Sequence, residues 1–532
     1  MEQEQDSTFI DISTRISRFA YATPDAEAVI ADSDRFTYRD FDLSVTRCAN
    51  ALRALGVEAG DRVAILASPS AAYLQAFLGT LRAGGCVCPL SPMASPEQLE
   101  LMVADSGTRV LFVSMDMIET GRRLAAASSL LPGAAILFDA TADGFVNYGD
   151  FVIGASNEMP DVQIDPGMLF NIIYSSGTTG APKGIMHNHA TRTTTLDRFK
   201  DIGFGPGCRS LVATPLYSNT TLAAWLPTLG LGGAVIVMPK FNARAYLELA
   251  ERERATHTIL VPVQYQRILA EPTFNEFDLR SFSFKMTTSA PMQSRLKEEI
   301  VRRWPGPLLE MYGLTEGGGI CTLDVKADAG KLDTVGKPAF GCVIKIIDDA
   351  GNELLDGQVG EIVGRGPIMM QGYHNRPVES AAIVWNDSDG QRYFRSGDIG
   401  WFDSEGYLHL SDRKKDMIIS GGFNVYASDL EAVLCRHPAV SDAAVIGIPS
   451  IKWGESPLGL VVLREGHQVD PAIILDWANG QLGKTQRLSS IEVRGLLPRN
   501  TLGKVLKRDL RAPYWKADVR SDDGQTSSIL RQ

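Results

Sequence analysis

The sequence predicts an α/β protein: a large N-terminal domain of parallel α/β sheets with a small β-rich subdomain, followed by an α+β C-terminal domain. Three patterns carry that expectation. From Phe36 to Arg303, short apolar runs alternate with segments of helical periodicity, as parallel strands joined by helical crossovers require. From about Val335 to Tyr407 the texture changes to short strands separated by Gly and Asp. Beyond Asp412, helical and strand-like segments mix in a shorter stretch.

Taken in order, residues 38–55 carry apolar positions at helical spacing, and Val63-Ala64-Ile65-Leu66 is short and wholly apolar, as a strand buried on both faces should be. Ala71 to Arg82 returns to helical spacing, and Cys86-Val87-Cys88-Pro89-Leu90 to strand. Val110 to Val113, Ala134 to Phe138, Met168 to Ile173, Leu211 to Ala213, Ala234 to Val237 and Thr258 to Val261 are further strands. Helical segments lie near 220–229, 243–254 and 291–303. The β-rich stretch contributes Gly341 to Asp348, Gly360 to Arg365 and Tyr407 to Leu410. The last part contributes helices at 428–436, 471–482 and 503–510 and strands at 442–448 and 458–463. The expected division is 10–411 for the N-terminal domain, 412–416 for a linker and 417–515 for the C-terminal domain.

Bulk properties narrow the function. A chain of 532 residues, 44% hydrophobic and 22% charged, has the composition of a soluble globular enzyme. Its net charge of −11 argues against a nucleic-acid binder. The seven cysteines are scattered without zinc spacing, and Cys86 and Cys88 read as strand core. A reducing cytoplasm fits them. The acidic start lacks the basic stretch and apolar core expected of a signal peptide, Ile529-Leu530-Arg531-Gln532 does not read as a peroxisomal or ER address, and no apolar run approaches the roughly eighteen residues that span a bilayer. No integral membrane contact is expected.

The most informative stretch is Tyr174-Ser175-Ser176-Gly177-Thr178-Thr179-Gly180-Ala181-Pro182-Lys183-Gly184-Ile185, directly after a buried strand. Glycines let bare N–H groups approach a ligand. Ser175, Ser176, Thr178 and Thr179 add hydroxyl donors and Lys183 adds a point charge, so the loop suits a polyphosphate. It is not the Walker pattern, because Lys183 follows Ala181-Pro182. Gly483-Lys484-Thr485 comes nearer but has Ala478 where the first glycine belongs. Taken alone, such a loop is also an ordinary surface turn.

Four further segments follow. Thr287-Thr288-Ser289-Ala290-Pro291 leaves an apolar strand at its carboxyl end, where parallel sheets offer a ligand crevice. Met311-Tyr312-Gly313-Leu314-Thr315-Glu316 ends in an acid of the type that holds Mg²⁺. Arg395-Ser396-Gly397-Asp398-Ile399-Gly400 is followed by the charged run Asp412-Arg413-Lys414-Lys415-Asp416, and last comes Pro498-Arg499-Asn500-Thr501-Leu502-Gly503-Lys504. Each has a plain reading by itself, as a turn, a solvated charge run or a surface lysine.

Together, and in this order, the five segments resemble the motifs of the adenylate-forming superfamily of acyl-CoA synthetases, peptide-synthetase adenylation domains and beetle luciferases. The resemblance covers about Ile10 to Pro513. It implies a mobile C-terminal domain, with ATP, Mg²⁺ and coenzyme A as cofactor and co-substrates. Ser175, Ser176, Gly177, Thr178, Thr179, Gly180 and Lys183 would grip the phosphates. Ser289, Ala290 and Pro291 would lie against adenine, and Tyr312 would pack on it. Thr315 would touch the α-phosphate region and Glu316 would hold Mg²⁺. Asp398 would accept the ribose hydroxyls, a geometry one carboxylate provides, and Arg413 would contact ribose and phosphate. Lys415 matches the hinge and Lys504 the catalytic lysine. Gly421, Gly422 and Phe423 would admit pantetheine once the domain has turned.

The implied reaction is attack of a carboxylate on the α-phosphorus of MgATP, giving acyl-adenylate and pyrophosphate, then acyl transfer to the thiol of CoA. The alternatives are a stand-alone adenylation enzyme loading a carrier protein, a luciferase-like oxidation, and a non-catalytic nucleotide-binding regulator. The last would be expected to lack Glu316 or Lys504. For the acid, Tyr217, Ser218 and Thr220 align with the segment lining the family's acyl pocket, and Gly313 and Gly318 border it. Ser218 stands where that segment usually carries His. Gly317-Gly318-Gly319, with no tryptophan after Glu316, implies a medium-to-large apolar acid, fatty or aryl. Pro498 and Gly503-Lys504 resemble the context in which bacterial acyl-CoA synthetases are silenced, which implies a lysine acetyltransferase acting on Lys504.

Overall fold

The computed structural model describes residues 9–32, 34–175, 182–193, 196–339, 341–413, 416–420, 423–450, 453–483, 486–500 and 503–516. The chain forms two compact units. The first takes residues up to 344 and 363–394, and the second takes 345–362 and residues from 395 onward.

The first unit is built on two sheets. In one, Glu27–Ala31, Ala234–Val237, Arg209–Val212, His257–Leu260, Phe284–Thr287 and Leu308–Gly313 run parallel in that order. Antiparallel strands close its edges, Asp34–Thr37 on one side, Ile320–Asp324 and Lys337–Pro338 on the other. In the other sheet, Val146–Asn147, Ala135–Leu137, Thr108–Val113, Arg62–Leu66, Cys86–Pro89 and Leu169–Ser175 are parallel. The antiparallel strands Lys183–Asn188 and Gly372–Tyr373 complete it. Strands with both faces covered read as continuous apolar runs, which is why these elements were legible.

Helix Ala71–Arg82 is buried at every position except Ala72. Gly79 lets it approach helix Tyr38–Leu55 closely, since a Cβ there would lie 2.7 Å from Cys48 Sγ. Phe77 meets Trp225 edge-on at 5.1 Å, and strands of both sheets feed one core through Val29, Val63, Phe112, Phe170 and Val235. Arg82 ends the helix buried, donating to Asp42, Ser13 and Thr46. Both helices keep their expected bounds. Helix Ile12–Ala22, strands Glu27–Ala31 and Asp34–Thr37 and helix Pro96–Ser106 were not anticipated, although Ser95 and Gln98 form a capping box readable in sequence.

In the second unit, Val440–Ser450 and Gly454–Leu463 form a long antiparallel pair flanked by Ile418–Ser420 with Phe423–Val425, and by Ser490–Val493. Side chains alternate across a strand. Ala443, Val445 and Val461 therefore join helices Ala427–Cys435 and Pro471–Asn479, while Ala444, Ile446 and Leu460 join Leu510 and Tyr514 on the other face. The helix expected at 503–510 is corrected. It runs Lys507–Lys516, because the residues before it form an antiparallel bridge, Arg499↔Val505.

All seven cysteines are free thiols, and Cys86 and Cys88 are strand core. Among the described residues no helix is long and apolar enough to cross a membrane. His189 and His257 are buried, which pulls each down to about 4. An unfolded histidine takes up its proton near pH 6.5. The unfolded state therefore binds more protons between pH 6.5 and 4, and the stability present above pH 6.5 is lost as pH falls through that window. Each histidine should remove about 2 kcal/mol by pH 5. A thermal-unfolding series from pH 7 to 5 should show a falling midpoint, and His257→Phe should flatten the curve.

Candidate active site

The strand Leu169–Ser175 pairs antiparallel with Lys183–Asn188, and Ser175 lies opposite Lys183. Tyr174, Ser175, Lys183, Gly184 and Ile185, expected in a loop, are thus strand residues. Ser176, Gly177, Thr178, Thr179 and Gly180 lie outside the described residues. Lys183 Nζ sits 5.1 Å from the centre of the Tyr373 ring. Tyr373 in turn donates to Glu316 Oε1 at 3.0 Å, and burial followed by the Glu316 charge pushes its phenol up. Glu316 is also held through its backbone, whose carbonyl accepts from Met370 N at 2.9 Å. Three residues far apart in sequence therefore converge, with Tyr373 as the link.

The other expected segments of the first unit come together around the ends of the parallel strands. Tyr312 and Gly313 finish strand Leu308–Gly313, opposite Cys321 and Ile320. Ser289 adopts φ +76°, a left-handed conformation uncommon for a residue with a Cβ, and such strain gathers at ligand sites. Its hydroxyl is 2.6 Å from Thr220 Oγ1, which joins the 287–291 turn to the 214–220 segment. Ala290 is half-buried and Pro291 exposed beside it. Ser218 is 4% exposed and caps helix Asn219–Gly230 by accepting from Thr221 N. Tyr217, immediately before it, is half-buried. The Thr315 carbonyl meets His187 Nε2 at 2.9 Å.

The three glycines after Glu316 have φ of +78°, +79° and +124°. A Cβ on Gly317 would lie 2.3 Å from the Ile368 carbonyl oxygen, and one on Gly318 2.9 Å from Phe394 Cβ. Their smallness therefore serves close backbone packing, a reason the sequence did not disclose.

In the second unit, Asp398 is buried in strand Arg392–Phe402 and stands opposite Arg413 across the pair with Leu408–Arg413. Its amide donates to Ser396 Oγ at 3.0 Å. Lys415, Gly421 and Gly422 lie outside the described residues, as do the side chains of Arg413 and Phe423. Lys504 is placed by a tight turn. Its amide donates to Asn500 Oδ1 and its carbonyl accepts from Asn500 N, each at 2.9 Å, and Gly503 takes φ +77°.

Mg²⁺ would find one carboxylate here, Glu316, steadied by Tyr373. That suits an ion which takes few protein ligands and completes its shell with phosphate and water. Among the described residues no cluster of three acidic, His or Cys side chains offers an all-protein cage.

Reasoning from sequence missed Tyr373, and also Asn171, His187, Arg192 and Asn219. One signal was available: Asn171 and His187 face each other across the two strands that bracket the loop, and both are buried. Buried polar side chains are the informative exceptions in apolar strands.

Residues 16–374 match the family model of AMP-binding enzymes, and 429–504 match that of the AMP-binding enzyme C-terminal domain. The chain is 35% identical to a feruloyl-CoA synthase of Amycolatopsis sp over 93% of its own length and 98% of the relative's. It is 30% identical to a long-chain-fatty-acid–CoA ligase of Mycobacterium tuberculosis, over 95% and 98%. The solved structure of ATP-bound MatB from Rhodopseudomonas palustris superposes with a TM-score of 0.84 at 29% identity, covering 95% of this chain and 99% of that one.

Proposed function

The chain belongs to the AMP-binding enzyme family as an acid–CoA ligase, and from that premise we propose that it activates a medium-to-long-chain fatty or aryl acid through the residues assembled above. The observation that carries this reading is the convergence of Lys183, Tyr373 and Glu316. A cation over the ring of Tyr373 and a carboxylate at its hydroxyl form a receptacle for a metal-bound polyphosphate.

A carboxylate oxygen of the acid attacks the α-phosphorus, the bond to the bridging oxygen breaks, and pyrophosphate leaves. Catalysis of such a transfer is chiefly positioning and charge neutralisation. Lys183 and the 176–180 segment hold the departing phosphates. Thr315 borders the α-phosphate, and Lys504 stabilises the charge that develops there. Glu316 would hold Mg²⁺, which would offset the negative charge of the phosphates. Ser289, Ala290, Pro291 and Tyr312 bound the adenine, and Asp398 and Arg413 take the ribose. In the second step the thiol of CoA attacks the acyl carbon, AMP leaves and the thiol proton passes to solvent. The domain from 417 turns about Lys415 between the steps, exchanging Lys504 for Gly421, Gly422 and Phe423. A cytoplasmic setting suits seven free thiols, and a lysine acetyltransferase acting on Lys504 would switch off the first step.

Tyr217, Thr220, Gly313 and Gly318 border the acyl path, with Ser218 acting behind them as a helix cap. A panel from acetate to long-chain and hydroxycinnamic acids, read by pyrophosphate release with and without CoA, tests the substrate. The best acid should be aryl or longer than about eight carbons, the kind of acyl group whose burial supplies roughly 0.8 kcal/mol per methylene. Acetate or propionate as the best substrate would refute the apolar-acid reading. Adenylation without any thioester from CoA would point to a carrier protein as acceptor.

A further inference from the structure

A group of polar side chains beside the Thr315-Glu316 turn, Asn171 and His187 buried and Arg192 and Asn219 half-buried, has no part in the reaction as described. Arg192, on helix His189–Thr193, donates from Nε to Asn171 Oδ1 at 2.9 Å and from one terminal nitrogen to Asn219 Oδ1 at 2.8 Å. Its other terminal nitrogen lies 3.1 Å from His187 Nδ1, and His187 Nε2 lies 2.9 Å from the Thr315 carbonyl oxygen.

The protonation pattern follows from the chemistry of the partners. A guanidinium has only donors, so Nδ1 of His187 must offer a lone pair. The ring is then neutral with its proton on Nε2, and that proton is donated to the Thr315 carbonyl. Burial, and after it the Arg192 charge, push His187 well below the usual histidine range. The neutral tautomer therefore persists at working pH.

Each acceptor sits on a different functional segment. Asn171 lies on the strand that leads into the phosphate loop. Asn219 begins the helix that directly follows Tyr217 and Ser218. Thr315 precedes the metal-holding Glu316. Among the described residues no carboxylate pairs with Arg192, and its enclosure pulls the guanidinium down to about 9. Arg192 is half-buried, and a cation withdrawn that far from water with only neutral partners costs stability that an apolar side chain of similar volume would not. Packing alone does not account for it.

We propose that Arg192 and His187 are positioning residues of the adenylation step, a relay that fixes the Thr315-Glu316 turn relative to the acyl segment and the stem of the phosphate loop. Attack of the carboxylate on the α-phosphorus depends on that registry, and small displacements of reacting groups are costly. The inference rests on the acid–CoA ligase reading given above.

The test uses the full-length enzyme and three variants. His187→Gln retains an acceptor for Arg192 and a donor for Thr315, whereas His187→Leu has similar bulk and neither. Arg192→Lys keeps the charge but cannot serve three acceptors in a planar fork. Acid-dependent ATP–pyrophosphate exchange should lose about 10- to 100-fold in kcat in His187→Leu and Arg192→Lys, with the KM for ATP changed less than about threefold. His187→Gln should stay within about threefold of the parent. Hydrogen exchange of backbone amides 313–318 should quicken in His187→Leu and not in His187→Gln. Equal kcat in the Gln and Leu variants, or unchanged amide exchange in His187→Leu, overturns the relay. Should His187→Leu fail to fold, parental kcat in Arg192→Lys overturns it equally. An unmodified enzyme that exchanges with no acid would defeat the ligase reading instead, and the amide exchange would still decide the relay.

Discussion

Lys504→Ala should lose acyl-adenylate formation by about 100- to 1000-fold and still convert supplied acyl-adenylate to thioester at close to the parental rate. The turn that carries the residue is built by other groups. Asn500 clamps the Lys504 amide and carbonyl, Gly503 supplies the left-handed backbone, and Arg499 donates to the Gly503 carbonyl while pairing with Asp442 at 2.6 Å. Removing the side chain therefore takes away an ammonium and its stem and leaves the turn in place. A compact charge on a flexible stem is suited to charge that appears only in the transition state, so the loss should fall on kcat. Pyrophosphate release measures the first half-reaction and CoA consumption from synthetic acyl-adenylate the second. Equal loss in both would contradict a domain that withdraws Lys504 between steps. Lys504→Gln, which mimics acetylation, should behave as Lys504→Ala if acetylation is a switch.

What the sequence disclosed follows a physical divide. Strands buried on both faces and helices buried all round announce themselves through composition and period, so Arg62–Leu66 and Ala71–Arg82 were readable almost to the residue. The end of the chain was not. Lys507–Lys516 has a polar composition and its start is fixed by a bridge to Arg499, a contact that periodicity cannot register. The candidate site divides likewise. Its segments were visible as motifs, but their meeting through Tyr373 depends on which strands become neighbours, since Gly372–Tyr373 pairs with Lys183–Asn188 from nearly two hundred positions away. Ser218 looked like a pocket residue by alignment, yet its hydroxyl is engaged as a helix cap, a use that Ser at such a position equally permits.

The glycines after Glu316 give the sharpest separation between two readings of one motif. Gly317 and Gly60 share nearly the same backbone, φ +78° and +82°, but differ in surroundings. A Cβ at Gly60 would meet nothing within 4 Å, whereas one at Gly317 would meet the Ile368 carbonyl oxygen at 2.3 Å and Met369 Cα at 2.7 Å. Those are backbone atoms, which cannot rotate away. Gly60→Ala should therefore show only the conformational strain, about 1 kcal/mol. Gly317→Ala should add overpacking of about 3 kcal/mol and displace the turn, weakening the hold of Tyr373 and the Met370 amide on Glu316. The midpoint of thermal unfolding should fall further than in Gly60→Ala, and the KM for MgATP should rise by about tenfold or more, as expected when roughly 1.4 kcal/mol of binding is lost. Were Gly317→Ala to match Gly60→Ala in stability and change only the preferred length of the acid, the glycine would be there to leave room for the acyl chain, and the contact with residues 368 and 369 would not be what constrains it.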